Sequence, residues 1–131
     1  MVTLLLLAAL LPDPTKTPGV VRVLTVAQIC TTHWGVDRRH VSLSMRRAVF
    51  ANYGITYAAH RRYEVDHLIP RELGGADHVQ NLWPQPILEA RQKDALENLA
   101  HKRVCAASPE ISAQVLQMYQ MQFAQDWRVV R

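Results

Sequence analysis

Two cysteines in 131 residues, Cys30 and Cys105, with no Cys-x-x-Cys pair, leave no framework for a zinc knuckle or zinc ribbon. A membrane-spanning helix needs about 20 consecutive apolar residues. The longest such run here, residues 4–11, is a short stretch of Leu and Ala, far below that length. No internal repeat and no low-complexity tract is present. Charged residues make up only 20% against 49% hydrophobic, the balance of a folded chain. A single domain is expected at this length.

The apolar run 4–11 matches the core of an exported protein's leader, although it lacks a basic residue before it and a clean A-x-A site after it. A frayed apolar tail is the alternative. Residues 1–16 are therefore read as a signal-like segment and linker, and 17–131 as the folded domain. The expected location is periplasmic or secreted, with cytoplasmic or phage-associated as the alternative. If exported, Cys30 and Cys105 can pair, and a bond across their 75-residue separation restrains the unfolded chain by about 4 kcal/mol in the entropy model. Two separate buried thiols are the other reading. Fifteen Lys and Arg against eleven Asp and Glu give a net charge of +4. The basic balance leans toward a polyanion such as nucleic acid or an acidic membrane surface.

Along the chain, Pro12, Asp13, Pro14, Pro18 and Gly19 mark an extended arm. A short helical turn is expected over 25–30, and a helix over 43–53 with Ser42 as its cap and Gly54 as its stop. Tyr63, Val65 and His67 alternate with Glu64 and Asp66, which predicts a strand within 62–70. Gly74-Gly75 predicts a turn, and residues 81–83 a second short strand stopped by Pro84 and Pro86. A helix follows over 87–105. Ser108 and Pro109 predict the start of a last helix, whose stripe of Ile111, Val115, Tyr119, Phe123 and Trp127 is core. Trp83 is also placed in the core.

The chemistry concentrates in Glu64-Val65-Asp66-His67-Leu68-Ile69-Pro70. An Asp directly before a His at a strand end is followed by Gly74-Gly75, by Asn81 fourteen positions after His67, and by a helix carrying Glu89. Strand, glycine loop, strand and helix make a ββα unit in which Asp66 and Glu89 can converge on one cation. Hard oxygen ligands suit Mg²⁺, which keeps several waters and takes one or two carboxylates. A neutral His67 can accept the proton of an attacking water, and Asn81 can hold the loop that aims it. Glu89 has competitors in Asp94 and Glu97, and can also be simply a favourable acid in a first helical turn. Arg62, Arg71 and Lys93 are candidate phosphate contacts, with Arg61, Arg91, Lys102 and Arg103 nearby in sequence; a solvated basic face is the alternative. His101 sits four residues after Glu97, so a helical i,i+4 pair is expected. His33, His40, His60 and His78 lack a comparable setting.

These residues resemble the HNH endonuclease signature: Asp66-His67-Leu68-Ile69-Pro70, Gly74-Gly75 and Asn81-Leu82-Trp83-Pro84. Tyr53-Gly54-Ile55, Thr17-Pro18-Gly19 and the stretch from Glu89 to Glu97 are similar to segments of small bacterial, partly exported HNH-like proteins. The likeness extends over roughly residues 17 to 127 and implies a helix-rich α+β domain with a ββα-metal core. It also implies one divalent cation, Mg²⁺ or else Mn²⁺, and cleavage of nucleic acid, DNA more than RNA. On it, Asp66 corresponds to the metal-binding acid, His67 to the general base and Asn81 to the middle Asn. Many members carry His or Asn as the helix ligand, where Glu89 stands here. A catalytically inactive nucleic-acid-binding module on the same scaffold is the runner-up. A secreted structural domain, the third reading, would show neither metal binding nor salt-dependent DNA affinity.

Overall fold

The computed structural model describes residues 11–131, so most of the expected leader lies outside the described residues. The architecture is α+β: among the described residues there are four α-helices and one two-stranded antiparallel sheet. Helix α1 spans Val26–Thr31, α2 Leu43–Asn52, α3 Ala90–Ala106 and α4 Ser112–Asp126; strand β1 spans Tyr63–His67 and β2 Leu82–Pro86. No described helix is long and apolar enough to cross a membrane.

Local sequence explains most boundaries. Thr25 and Gln28 form a reciprocal capping box at the start of α1. Ser42 accepts from the Met45 amide at the start of α2, and Gly54, at φ +64°, follows its end. At the last helix the expected start is too early. The segment 109–111 is a turn, in which the Ser108 carbonyl accepts from the Ile111 and Ser112 amides, and the helix proper begins at Ser112. Ile111 is accordingly exposed, while Tyr119, Phe123 and Trp127 of the same stripe are buried.

The sheet also departs from expectation, because β2 runs through Pro84 and Pro86 rather than stopping before them. Pro84 pairs with Val65 and Pro86 with Tyr63. The two prolines are two residues apart, so both missing N–H groups face the same outer edge. A two-stranded sheet has no third strand to demand them. The register sets Asp66 opposite Trp83 and His67 opposite Leu82.

Two apolar clusters hold the sheet. Phe50 and Val49 of α2 pack on Val65 and Leu82, with Tyr57 and Tyr63 edge-on to Phe50. The larger cluster joins Leu68, Leu73 and Trp83 to Ala100 and Val104 of α3, to Leu116, Tyr119 and Phe123 of α4, and to Ile29 of α1. The proline-rich arm is pinned as well. Thr17 is fully buried, its hydroxyl bonded to the Tyr53 hydroxyl and donating to the Leu82 carbonyl, and Val21 bridges to Gly75.

Cys30 and Cys105 form a disulfide that ties α1 to α3. Its 75-residue separation sets the expected effect. Replacing both cysteines with serine lowers unfolding free energy by about 4 kcal/mol in the entropy model. Urea unfolding of the oxidised wild type against the double variant checks this, and coincident midpoints would refute it.

Candidate active site

The turn between the strands is built on glycine for steric reasons. Gly74 has φ +87°, and a Cβ on Gly75 would lie 1.7 Å from the Ile69 carbonyl oxygen. This lets residues 68–76 fold back tightly over the end of β1. Asn81, fully buried, stitches that loop together. Its Oδ1 accepts from the amides of Ile69 (3.0 Å) and Val20 (3.3 Å). Its Nδ2 donates to the carbonyls of Ile69 (3.0 Å) and Ala76 (3.1 Å). All four partners are backbone, so Asn81 is a positioning residue and does not itself touch the His67 ring.

His67 ends β1 with little exposure, 4%. Its Nε2 lies 2.7 Å from Oδ1 of Asp77, a residue of the glycine loop. A carboxylate only accepts, so Nε2 carries the hydrogen and Nδ1 of the neutral ring carries the lone pair. Burial lowers the His67 pKa below its ordinary 6.5, outweighing the opposing hydrogen bond and charge of Asp77. Asp77 is held below the usual carboxylate value: burial pushes it up, but the His40 amide, His67 and Arg71 prevail. The sign follows directly. Burial disfavours the protonated ring, so the neutral form persists to lower pH than in a free imidazole. An NMR titration of the ring resonance that disappears in His67→Ala is expected to give a midpoint below 6.5; a midpoint above it would contradict the burial argument.

Asp66 faces the opposite way along the strand, toward α3. Its Oδ2 receives two donors, Trp83 Nε1 at 2.9 Å and Lys93 Nζ at 2.8 Å. Lys93 is fully buried and also bonds Glu97 and the His67 carbonyl (2.8 Å). Burial alone would lower the lysine pKa, but Asp66 and Glu97 outweigh it and raise it. Glu97 is pushed up to about 7, chiefly by burial. Asp94 and Glu64 are also raised, by burial first and then by the negative charge of Asp66.

Asp66 and His67 open onto a cavity of about 220 Å³. Glu64, Glu72, Asp94, Glu97 and Asn98 line it with them, and Arg39, Arg71 and Trp34 complete the wall. Asp94 and Asn98 are one helical turn apart on α3, which brings both to the same face. Among the described residues, no three His, Cys, Asp or Glu side chains converge closely enough to grip an ion by themselves.

Several sequence expectations are relocated. Glu89 does not join Asp66. It precedes α3 and pairs with Arg128 at 3.1 Å, away from the cavity. Five residues further on, Asp94 points to the cavity instead, because about 100° per residue turns it well off the Glu89 direction. Lys93 cannot serve as an exposed phosphate contact, since its whole side chain is interior. Arg71 lines the cavity but is committed to Asp37, to the Arg38 carbonyl and, at 3.2 Å, to Asp77. Arg62 is exposed beside the start of β1 and outside the cavity. His101 lies 3.2 Å from the Ile29 carbonyl rather than on Glu97, which Lys93 has taken.

Sequence reasoning missed Asp77, Arg39 and the role of Trp83. Asp77 carried a signal, an acid in the glycine loop ten residues after His67. Arg39 lies far upstream and carried none. No family model, no curated protein and no solved structure matches this chain.

Proposed function

We propose that the chain is a divalent-metal-dependent endonuclease that hydrolyses nucleic-acid phosphodiester bonds, with His67 as general base. The observation that carries this reading is the pairing, at one strand end, of a neutral imidazole oriented by Asp77 with a carboxylate, Asp66, over an acid-lined cavity. The donor set fits a hard cation. Oxygen donors from Glu64, Glu72, Asp94, Glu97 and Asn98 line the cavity beside Asp66 and His67, and the four acids have raised pKa values, to which a neighbouring carboxylate contributes in each case. Mg²⁺ takes one or two carboxylates and keeps its waters, so a full protein cage is not required. Asp66 and Asp94 would hold it, with Asn98 beside them. When bound, the cation neutralises charge on the phosphate and the departing oxygen.

The chain's own groups do the rest. His67 Nδ1 takes the proton of a water whose oxygen bonds to phosphorus, while the ester P–O bond breaks and the leaving oxygen is protonated from solvent. Asp77 keeps Nε2–H in place and stabilises the imidazolium that forms, and Arg71 in turn braces Asp77. Arg39, exposed at the cavity wall, is placed to meet a phosphate. Exposed Arg61 and Arg62 extend positive charge beyond it. DNA is the favoured substrate over RNA, carried over from the HNH resemblance.

The test is cleavage of plasmid DNA and of RNA by purified protein, with Mg²⁺ or Mn²⁺ and then with a chelator. Cleavage that needs the metal and stops with the chelator is expected. No cleavage of either polymer under any metal would sink the reading.

A further inference from the structure

We propose that Lys93 is a positioning residue of the site: its buried ammonium commits Oδ2 of Asp66 to the protein and anchors the His67 carbonyl, so that one carboxylate oxygen and the imidazole keep a fixed relation. This rests on the nuclease reading. Three contacts converge on one interior nitrogen: Asp66 Oδ2 at 2.8 Å, the His67 carbonyl at 2.8 Å, and Glu97. Two of the three belong to consecutive residues of β1, the two that carry the chemistry. Trp83 Nε1 takes the same Oδ2, at 2.9 Å. Among the described residues no hydrogen bond reaches Oδ1, and Asp66 lines the cavity. The ammonium also lies 5.4 Å from the centre of the Phe123 ring, which closes its far side with apolar packing.

The side chain has no exposed surface, so it cannot itself touch a phosphate or a substrate. Its charge still matters electrostatically. A cation set among Asp66, Glu97 and Asp94 opposes the binding of a second cation there. Removing it therefore separates two quantities that a loss of fold would lower together. Metal affinity is kept or increased, because the cluster becomes more negative. Turnover falls, because Asp66 and the end of β1 lose their common anchor.

The experiment uses Lys93→Met, which keeps the length of the stem, together with the double variant Lys93→Met/Glu97→Gln, which removes one of the two carboxylates left without their partner. Circular dichroism and thermal melts select the folded variant. Mn²⁺ affinity is measured by calorimetry on the protein alone, and plasmid cleavage at saturating Mn²⁺ gives turnover. Expected are a Mn²⁺ Kd equal to or below that of wild type and a turnover lowered by roughly 10²-fold, the scale of a small misplacement of reacting groups. A folded variant with full turnover overturns the positioning role. So does a parallel loss of affinity and turnover, and so does the collapse of both variants, which would make Lys93 a requirement of the fold and nothing more. A wild type that neither binds Mn²⁺ nor cleaves overturns the nuclease reading itself, and the role of Lys93 with it; the wild-type measurements thus separate the two failures.

Discussion

His67→Ala is expected to reduce DNA cleavage by roughly 10²- to 10⁴-fold at saturating Mg²⁺, the usual worth of a general base. The variant should still bind Mn²⁺ about as tightly as wild type. The two halves of that expectation come from different contacts. The imidazole is tied through Nε2 to Asp77, which leaves Nδ1 as the nitrogen that would accept the proton. In the proposed site the cation's oxygen donors would sit on Asp66 and on α3 instead. Asp77→Asn tests the same arrangement more gently. An amide in place of the carboxylate can no longer stabilise the imidazolium by charge, so cleavage should lie between wild type and His67→Ala while Mn²⁺ affinity holds. Cleavage assays across metal concentration, with calorimetry on each variant, decide this. A His67→Ala protein that keeps more than about half of the wild-type rate removes the base assignment, since no general base contributes so little.

The strand and the turn of the site were legible because each rests on local chemistry. Alternation from Tyr63 to His67 fixes a strand, and Gly74-Gly75 permits a turn that a Cβ would block. Asn81 was identified through its spacing, and its buried amide does hold the loop. What could not be read locally depends on packing. Pro84 and Pro86 forbid a third strand on one edge, yet they do not end β2, because among the described residues no third strand pairs there. Lys93 looks like an exposed helical lysine until two carboxylates are found waiting for it in the interior. Glu89 and Asp94 differ only in helical phase, and that phase is set where α3 begins, after the single 3-10 turn Ile87–Glu89. Arg71 illustrates the same limit. Its charge suggested a phosphate contact, and three-dimensional proximity to Asp37 and Asp77 turned it inward.

That difference in phase gives the second large effect. Asp94→Asn should raise the Kd for Mn²⁺ by about tenfold or more, at least ~1.4 kcal/mol, and should shift the metal concentration needed for cleavage by a similar factor. Asp94 shares the cavity with Asp66, and the negative charge of Asp66 contributes to the rise in its pKa, so the two carboxylates interact across the space a cation would fill. Removing one charge from that pair weakens the attraction directly. Asp66→Asn should be at least as severe, because it also strips Lys93 of one of its two carboxylate partners. Glu89→Gln should leave Mn²⁺ affinity unchanged. It removes an ion pair with Arg128 that is partly open to solvent, worth about 0–1 kcal/mol in stability, and it touches nothing in the cavity. Calorimetric titration of the three variants side by side discriminates between the helix positions. If Glu89→Gln loses the metal while Asp94→Asn binds as wild type, the cation sits at the start of the helix and the cavity is not its site. The nuclease reading would survive that result, but Asp66 would then have to reach away from Lys93, and the anchoring role drawn for that lysine would fall with it.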